Sequence, residues 1–139
     1  NKLKDLGAAA ADGRLKRLAI ANPDLAPYGR AAREALEHAG LWDTMKTKLV
    51  LGESVGQTAR FLATGEAQAG FIPLALAAGP ELKTRGAWAT VPASWHAPLR
   101  QRMVLVKGAG DTARRFYDFM LGPQAQALLR QHGYASPSP

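Results

Sequence analysis

The sequence of 139 residues contains no cysteine, and this excludes disulfide bonds, thiol catalysis and thiolate metal sites. Its three histidines, His38, His96 and His132, are far apart and lack the spacing of metal ligands, so we expect no metal-ion site. No run approaches the roughly eighteen apolar residues of a membrane span. The first residues, NKLKDLGAAAADGRLKR, are too charged for a secretory leader. We therefore expect either an intracellular protein or a sequence that begins after any leader.

Acidic residues are few relative to basic ones. The 18 lysines and arginines exceed the 11 acidic residues and give a net charge of +7, which favours anionic partners. The basic residues are scattered, without a run of five, an RNP-like aromatic motif or zinc-finger spacing. This distribution predicts a solvated basic surface, and we expect no nucleic-acid partner.

Strand-like and helix-like segments alternate along the chain. The predicted strands are 15–21, 48–52, 68–76 (interrupted by Pro73), 87–91 and 102–107. The predicted helices run from Pro27 to a stop at Gly40, and over 54–65, 111–122 and 123–133. The alternation predicts an α/β fold with a mostly parallel sheet flanked by helices.

Two of the predicted helices begin directly after strands. One opens on Pro27-Tyr28-Gly29, and the other opens on Ser54, which forms an S-x-x-Q capping box with Gln57. Helix starts at the carboxyl edge of such a sheet present backbone N–H groups and a partial positive charge, which suit an anion. Since most such turns bind nothing, a purely structural role remains open at this point.

Four short motifs carry a resemblance to a known family. They are NP-x-x-APYG after the first strand, G-L-W after the first helix, E-S-V before the second helix and G-P-Q-A near the end. Around them, residues 17–76 and 91–134 resemble the periplasmic molybdate-binding proteins, the receptors of molybdate ABC transporters.

The resemblance implies a two-lobed type II periplasmic binding protein. Residues 1–101 would form the second lobe. Residues 102–139 would form a return strand and C-terminal helices, which pack on a first lobe or hinge missing from this chain; the alternative is that these helices fold back on the second lobe. The resemblance also implies the ligand molybdate or tungstate, no cofactor, a membrane permease as partner and a periplasmic location.

The resemblance further implies which residues bind. Tyr28 and Val55 match positions that donate backbone N–H groups to the oxyanion, and Pro27, Gly29 and Ser54 lie beside them. Pro73 stands where some members place a tyrosine hydroxyl, so that donor is absent. The remaining ligands of the family are hydroxyl-bearing residues near the N-terminus of the whole protein, and nothing in this chain matches them.

Two other functions remain as alternatives. The same fold could serve as the ligand-sensing domain of a transcriptional regulator. An enzyme is the weaker alternative, because Glu53 and Ser54 adjoin the site without a histidine or lysine placed to activate the serine. Ser54 is better explained as a helix cap.

Overall fold

A three-stranded parallel sheet organises the first part of the chain in the computed structural model, which describes residues 2–135. The strands are β1 (Leu18–Ala21), β2 (Leu49–Gly52) and β3 (Ala69–Gly70), in the order β2-β1-β3. All four residues of β1 are buried, as expected for a central strand with neighbours on both sides. The predicted α/β fold with a parallel sheet is confirmed.

Five helices accompany this sheet within the described residues. They are α1 (Lys2–Ala11), α2 (Pro27–His38), α3 (Trp42–Met45), α4 (Val55–Ala63) and α5 (Leu74–Ala77). The helices predicted after the first and second strands are confirmed as α2 and α4. Gly40 ends α2 as predicted: its φ is +68°, and the next N–H, that of Leu41, donates to Leu36 O at 2.8 Å.

The core lies between β1 and the apolar faces of the neighbouring helices. Leu18 and Ile20 of β1, Leu36 of α2 and Met45 of α3 are all fully buried. The predicted apolar face of α2 is confirmed at Ala31, Ala35 and Leu36, while Ala39 is only partly buried. This packing fixes α2 against the central strand.

Two further helices form a second compact unit, which begins at Arg100. They are α6 (Asp111–Leu121) and α7 (Pro123–Gln131), and they confirm the two predicted closing helices. Gly122 separates them, and the side-chain amide of Gln126 donates to Met120 O at 2.9 Å. The first residue of the predicted domain 1–101 and residues 136–139 of the predicted domain 102–139 lie outside the described residues.

Three strand predictions are wrong in whole or in part. The third strand covers only Ala69–Gly70, although the N–H of Phe71 still donates to Ala19 O at 2.9 Å. Pro73, which has no N–H for a ladder, precedes α5. Residues 87–91 form no strand within the described chain. Residues 102–107 form none either, and Val104 is 82% exposed. The described part of their unit contains helices but no strand with which they could pair.

Candidate functional site

The carboxyl ends of β1 and β2 lie at the same edge of the sheet. The two strands run parallel with Ala21 opposite Gly52, and the N–H of Asn22 donates to Gly52 O at 2.7 Å. Helix α2 and helix α4 each start within a few residues of these strand ends. The first turns that contain Tyr28 and Val55 therefore both follow this edge.

A tight turn leads from β1 into α2. The side-chain oxygen of Asn22 accepts from the N–H of Asp24 at 2.9 Å, and the Asn22 carbonyl accepts from the N–H of Ala26 at 2.8 Å. Pro27 then supplies the first helical residue, a position that needs no N–H. No side chain caps α2 among the described residues, so a ligand would meet no side-chain cap at this helix start.

Gly29 allows the first turn of α2 to lie directly against the end of β1. A Cβ at this position would collide with the carbonyl oxygen of Ala21 and lie 2.7 Å from the carbonyl carbon of Asn22. These are backbone atoms, which cannot move aside as a flexible side chain can. The glycine of the Pro-Tyr-Gly start is therefore required by close packing of helix on strand.

The start of α4 is held by the predicted capping residues. Ser54 Oγ accepts from the N–H of Gln57 at 3.2 Å, which confirms Ser54 as the cap. The Gln57 side chain accepts from the N–H of Glu53 at 2.7 Å, one residue earlier than in the usual capping box. Ser54 is thus engaged with its own helix, and Val55 occupies the first helical position.

Gly52 gives the second helix start the same close packing. A Cβ on Gly52 would lie 2.6 Å from Thr58 Oγ1 and 2.9 Å from Thr58 N. Thr58 is fully buried, and its hydroxyl donates to Ser54 O at 2.9 Å. Both helix starts are consequently fixed to neighbouring strands by contacts that tolerate only glycine.

The first turns of α2 and α4 carry no acidic side chain, although Asp24 and Glu53 lie just ahead of them in the sequence. Each N-terminus contributes roughly half a positive charge. Arg33, in the second turn of α2, pairs with Glu37 at 2.8 Å, and this hydrogen bond raises the pKa of Arg33. Arg33 also stacks on Trp42, so its partners lie toward the far end of α2.

Pro73 follows the third strand. It is buried, and its carbonyl accepts from the N–H groups of Leu76 and Ala77 in α5. Because proline carries neither a hydroxyl nor an N–H, this position offers no hydrogen-bond donor.

A small cavity of about 80 Å³ lies beside the first turns of α2, and we call it the Tyr28 hollow. Its walls include Tyr28, Ala31 and Ala32 of α2, Phe71 and Ile72 after β3, and His96. Sequence reasoning did not single out His96, because a lone histidine in a proline-containing loop gives no recognisable signal. A larger cavity of about 460 Å³ borders β3, but its walls include neither Tyr28 nor Val55.

The described side chains contain no group of three or more His, Cys, Asp or Glu residues that could hold a metal ion. No described helix has the length and apolar character needed to cross a membrane.

Neighbouring parallel strands that lead into two helix starts at one edge are typical of an α/β ligand-binding lobe. A family model described as bacterial extracellular solute-binding protein matches residues 1–135, and the chain belongs to this family.

Two similar relatives are named molybdate-binding proteins. The chain is 38% identical over 132 residues to the molybdate-binding protein ModA of Azotobacter vinelandii, covering 94% of this chain and 52% of that protein. It is 40% identical over 124 residues to ModA of Rhodobacter capsulatus, covering 88% of this chain and 48% of that protein. The chain thus spans about half the length of the curated relatives that it matches.

A solved structure shares the fold. The periplasmic molybdate-binding protein of Azotobacter vinelandii superposes with a TM-score of 0.82 and 35% identity, over 96% of this chain and 59% of that chain. The resemblance first drawn from the sequence motifs is confirmed by these relatives.

Proposed function

We propose that this chain is part of the substrate-binding component of an ABC transporter that captures molybdate, or the closely similar tungstate, as a tetrahedral oxyanion. One observation carries the proposal: two helix starts follow neighbouring strands at one sheet edge, in a chain whose relatives are named molybdate-binding proteins.

The proposed ligands of the oxyanion are the backbone N–H groups of Tyr28 and Val55. Hydrogen bonds to a charged group contribute about 1.5–3 kcal/mol each, and they need no opposite charge. Gly29 and Ser54 hold the two turns in place through the packing and capping contacts described above. Pro27 fixes the backbone of the first turn of α2. Pro73 follows β3 and adds no hydrogen-bond donor to the site.

In this proposal the protein binds its ligand and catalyses no reaction on it. A nucleophilic serine needs a neighbouring base, whereas the Ser54 hydroxyl accepts from the N–H of Gln57. The relatives are named as binding proteins, which supports the same conclusion.

The site is completed, in this proposal, by a first lobe ahead of the chain. The matched relatives are about twice as long as this chain. The second unit exposes large apolar side chains: Phe116, Phe119, Leu121 and Leu128. Such patches seldom stay uncovered, so we assign residues 102–139 to packing on the first lobe or hinge. The further partner is a membrane permease, and the location is the periplasm.

Isothermal titration of the intact protein tests this function. Molybdate and tungstate should each give a one-to-one isotherm with micromolar affinity or better, a free energy of about 8 kcal/mol or more. Sulfate at equal concentration should give no comparable heat. Absence of binding for both molybdate and tungstate would overturn the proposal, and ligand-dependent binding to operator DNA would favour the regulator.

A further inference from the structure

His96 shares the Tyr28 hollow with the first turns of α2. The His96 ring and the first turns of α2 line the same cavity of about 80 Å³. The other walls named above are apolar or aromatic: Ala31, Ala32, Phe71 and Ile72. Histidine is the residue type whose ring can gain a positive charge by protonation in the physiological range, and His96 brings such a ring to this hollow.

The tautomer of the His96 ring follows from its hydrogen bond. Nδ1 lies 2.9 Å from the carbonyl oxygen of Ala97. A carbonyl oxygen only accepts, so Nδ1 carries the hydrogen in this bond. Nε2 of the neutral ring then has a lone pair and no hydrogen. It becomes an N–H donor only when the ring is protonated.

Contacts on both sides of His96 hold its segment against α2. The N–H of Ala97 donates to Glu34 Oε2 at 2.6 Å. On the other side, the Trp95 ring stacks on His38, with centroids 4.8 Å apart. The backbone around His96 is thus attached to the same helix whose first turn contains Tyr28.

We propose that His96 is a pH-dependent positioning residue of the oxyanion site. On protonation it places a positive charge beside the first turn of α2 and strengthens binding of a dianion there. This inference rests on the proposed function and adds to it a regulation by pH. The unprotonated ring leaves binding to the backbone donors.

The described contacts bring Tyr28, Glu34 and His38 near His96 or its segment. Tyr28 lines the same hollow. Glu34 and His38 face the segment from α2 through Ala97 and Trp95, respectively. A carboxylate at Glu34 favours a positive charge on the His96 ring, whereas a positive charge on His38 opposes it.

The test is the molybdate affinity of the intact protein at about pH 6 and pH 8, an interval in which histidine changes charge. We expect affinity to be about three- to tenfold higher at pH 6, the effect of one added positive charge near a dianion at a partly screened site. His96→Asn keeps a donor for Ala97 O but cannot titrate, so its affinity should be equal at the two pH values. His132→Asn changes an exposed histidine of the second unit and should keep the wild-type ratio.

A second measurement uses the wild-type protein alone, so it does not depend on whether the His96→Asn variant folds. Because linkage is reciprocal, molybdate should move the titration midpoint of the wild-type His96 ring, followed by NMR, to higher pH. A wild-type affinity that is equal at both pH values, an unmoved midpoint, or a pH ratio retained by His96→Asn would overturn the role of His96 alone. Absence of binding at either pH would overturn the proposed function with it.

Discussion

At the scale of single residues, the candidate site depends on two glycines, which have no side chain. Gly29 and Gly52 each bring a helix start against a strand end, and a methyl group at either position would meet atoms that cannot easily move. The backbone itself is therefore the binding surface in our proposal. Side-chain chemistry contributes through capping and packing.

Replacing Gly29 with Ala should cost about 1–3 kcal/mol of unfolding free energy, because the added methyl collides with Ala21 O. The same shift of the turn should weaken molybdate binding by the intact protein. Urea unfolding and isothermal titration measure the two effects.

Gly56→Ala is the matched control for Gly29→Ala. Gly56 lies in the first turn of α4, and a Cβ there meets only Ser54 Oγ at 3.8 Å. Stability should stay equal or rise slightly, since alanine is the better helix former. Equal stability of both variants would contradict the close-packing explanation.

Ser54→Ala should lower the unfolding free energy by about 1 kcal/mol through loss of the cap on Gln57 N. Molybdate binding by the intact protein should weaken only modestly, as titration will measure, because the proposed donor is the N–H of Val55. Abolished binding would instead identify Ser54 as a direct ligand.

At the scale of elements, α2 contacts the sheet along one face and the segment 93–97 along another. Its buried alanines and Leu36 pack on the core, while Glu34 and His38 hold Ala97 and Trp95. The helix thus connects the central strand to the loop that carries His96.

Glu34→Ala should release this segment from α2. Amide hydrogen exchange at Ala97 should become about three- to tenfold faster, since its N–H loses the carboxylate acceptor. Mass spectrometry or NMR reads this rate directly.

Glu37→Ala serves as the comparison for Glu34→Ala. It removes an exposed carboxylate from the same helix, and this carboxylate pairs with Arg33 instead of with the segment 93–97. Unchanged exchange at Ala97 is expected there. An equal acceleration in both variants would show that general loosening of α2, and not the Glu34 contact, sets the rate.

The elements with strong local signals were predictable from the sequence. The S-x-x-Q box and Gly65 bracket α4, and the Pro-x-Gly start and Gly40 bracket α2, because caps act within one turn. Strands need partners, so residues 102–107 look like a strand in sequence yet find no strand to pair with among the described residues of their unit. Tyr28 and Val55 were marked by family resemblance, whereas His96 depends on a loop contact across 63 residues that no local pattern encodes.

At the scale of the whole molecule, the chain falls into two compact units, with the candidate site in the first. Helix α6 of the second unit has no buried residue, and Phe116 is 64% exposed. Its apolar residues are therefore available for the first lobe that we propose.

The chain of 139 residues by itself should bind molybdate poorly or not at all. Two backbone donors supply about 3–6 kcal/mol, because each hydrogen bond to a charged group contributes about 1.5–3 kcal/mol. Association costs at least about 4 kcal/mol. Micromolar affinity needs a net of about 8 kcal/mol. Isothermal titration should show no saturable heat at sub-millimolar molybdate.

The intact protein is the positive control for that titration, and it should bind one molybdate under the same conditions. A clean one-to-one isotherm of micromolar affinity from the chain alone would mean that this lobe is a complete receptor. The proposed first lobe would then be unnecessary for binding.

The register of β1 against β2 has a consequence for how such a receptor selects an anion by size. Adjacent strands of any sheet stand about 4.8 Å apart, and here each strand ends in a helix start fixed to it by a glycine contact. The distance between the two helix starts is therefore set by the spacing of hydrogen-bonded strands, a property of the backbone. Substitution of surface side chains leaves that distance unchanged. Discrimination between anions of different size must therefore evolve in the part of the protein that covers this edge, which we propose is the first lobe.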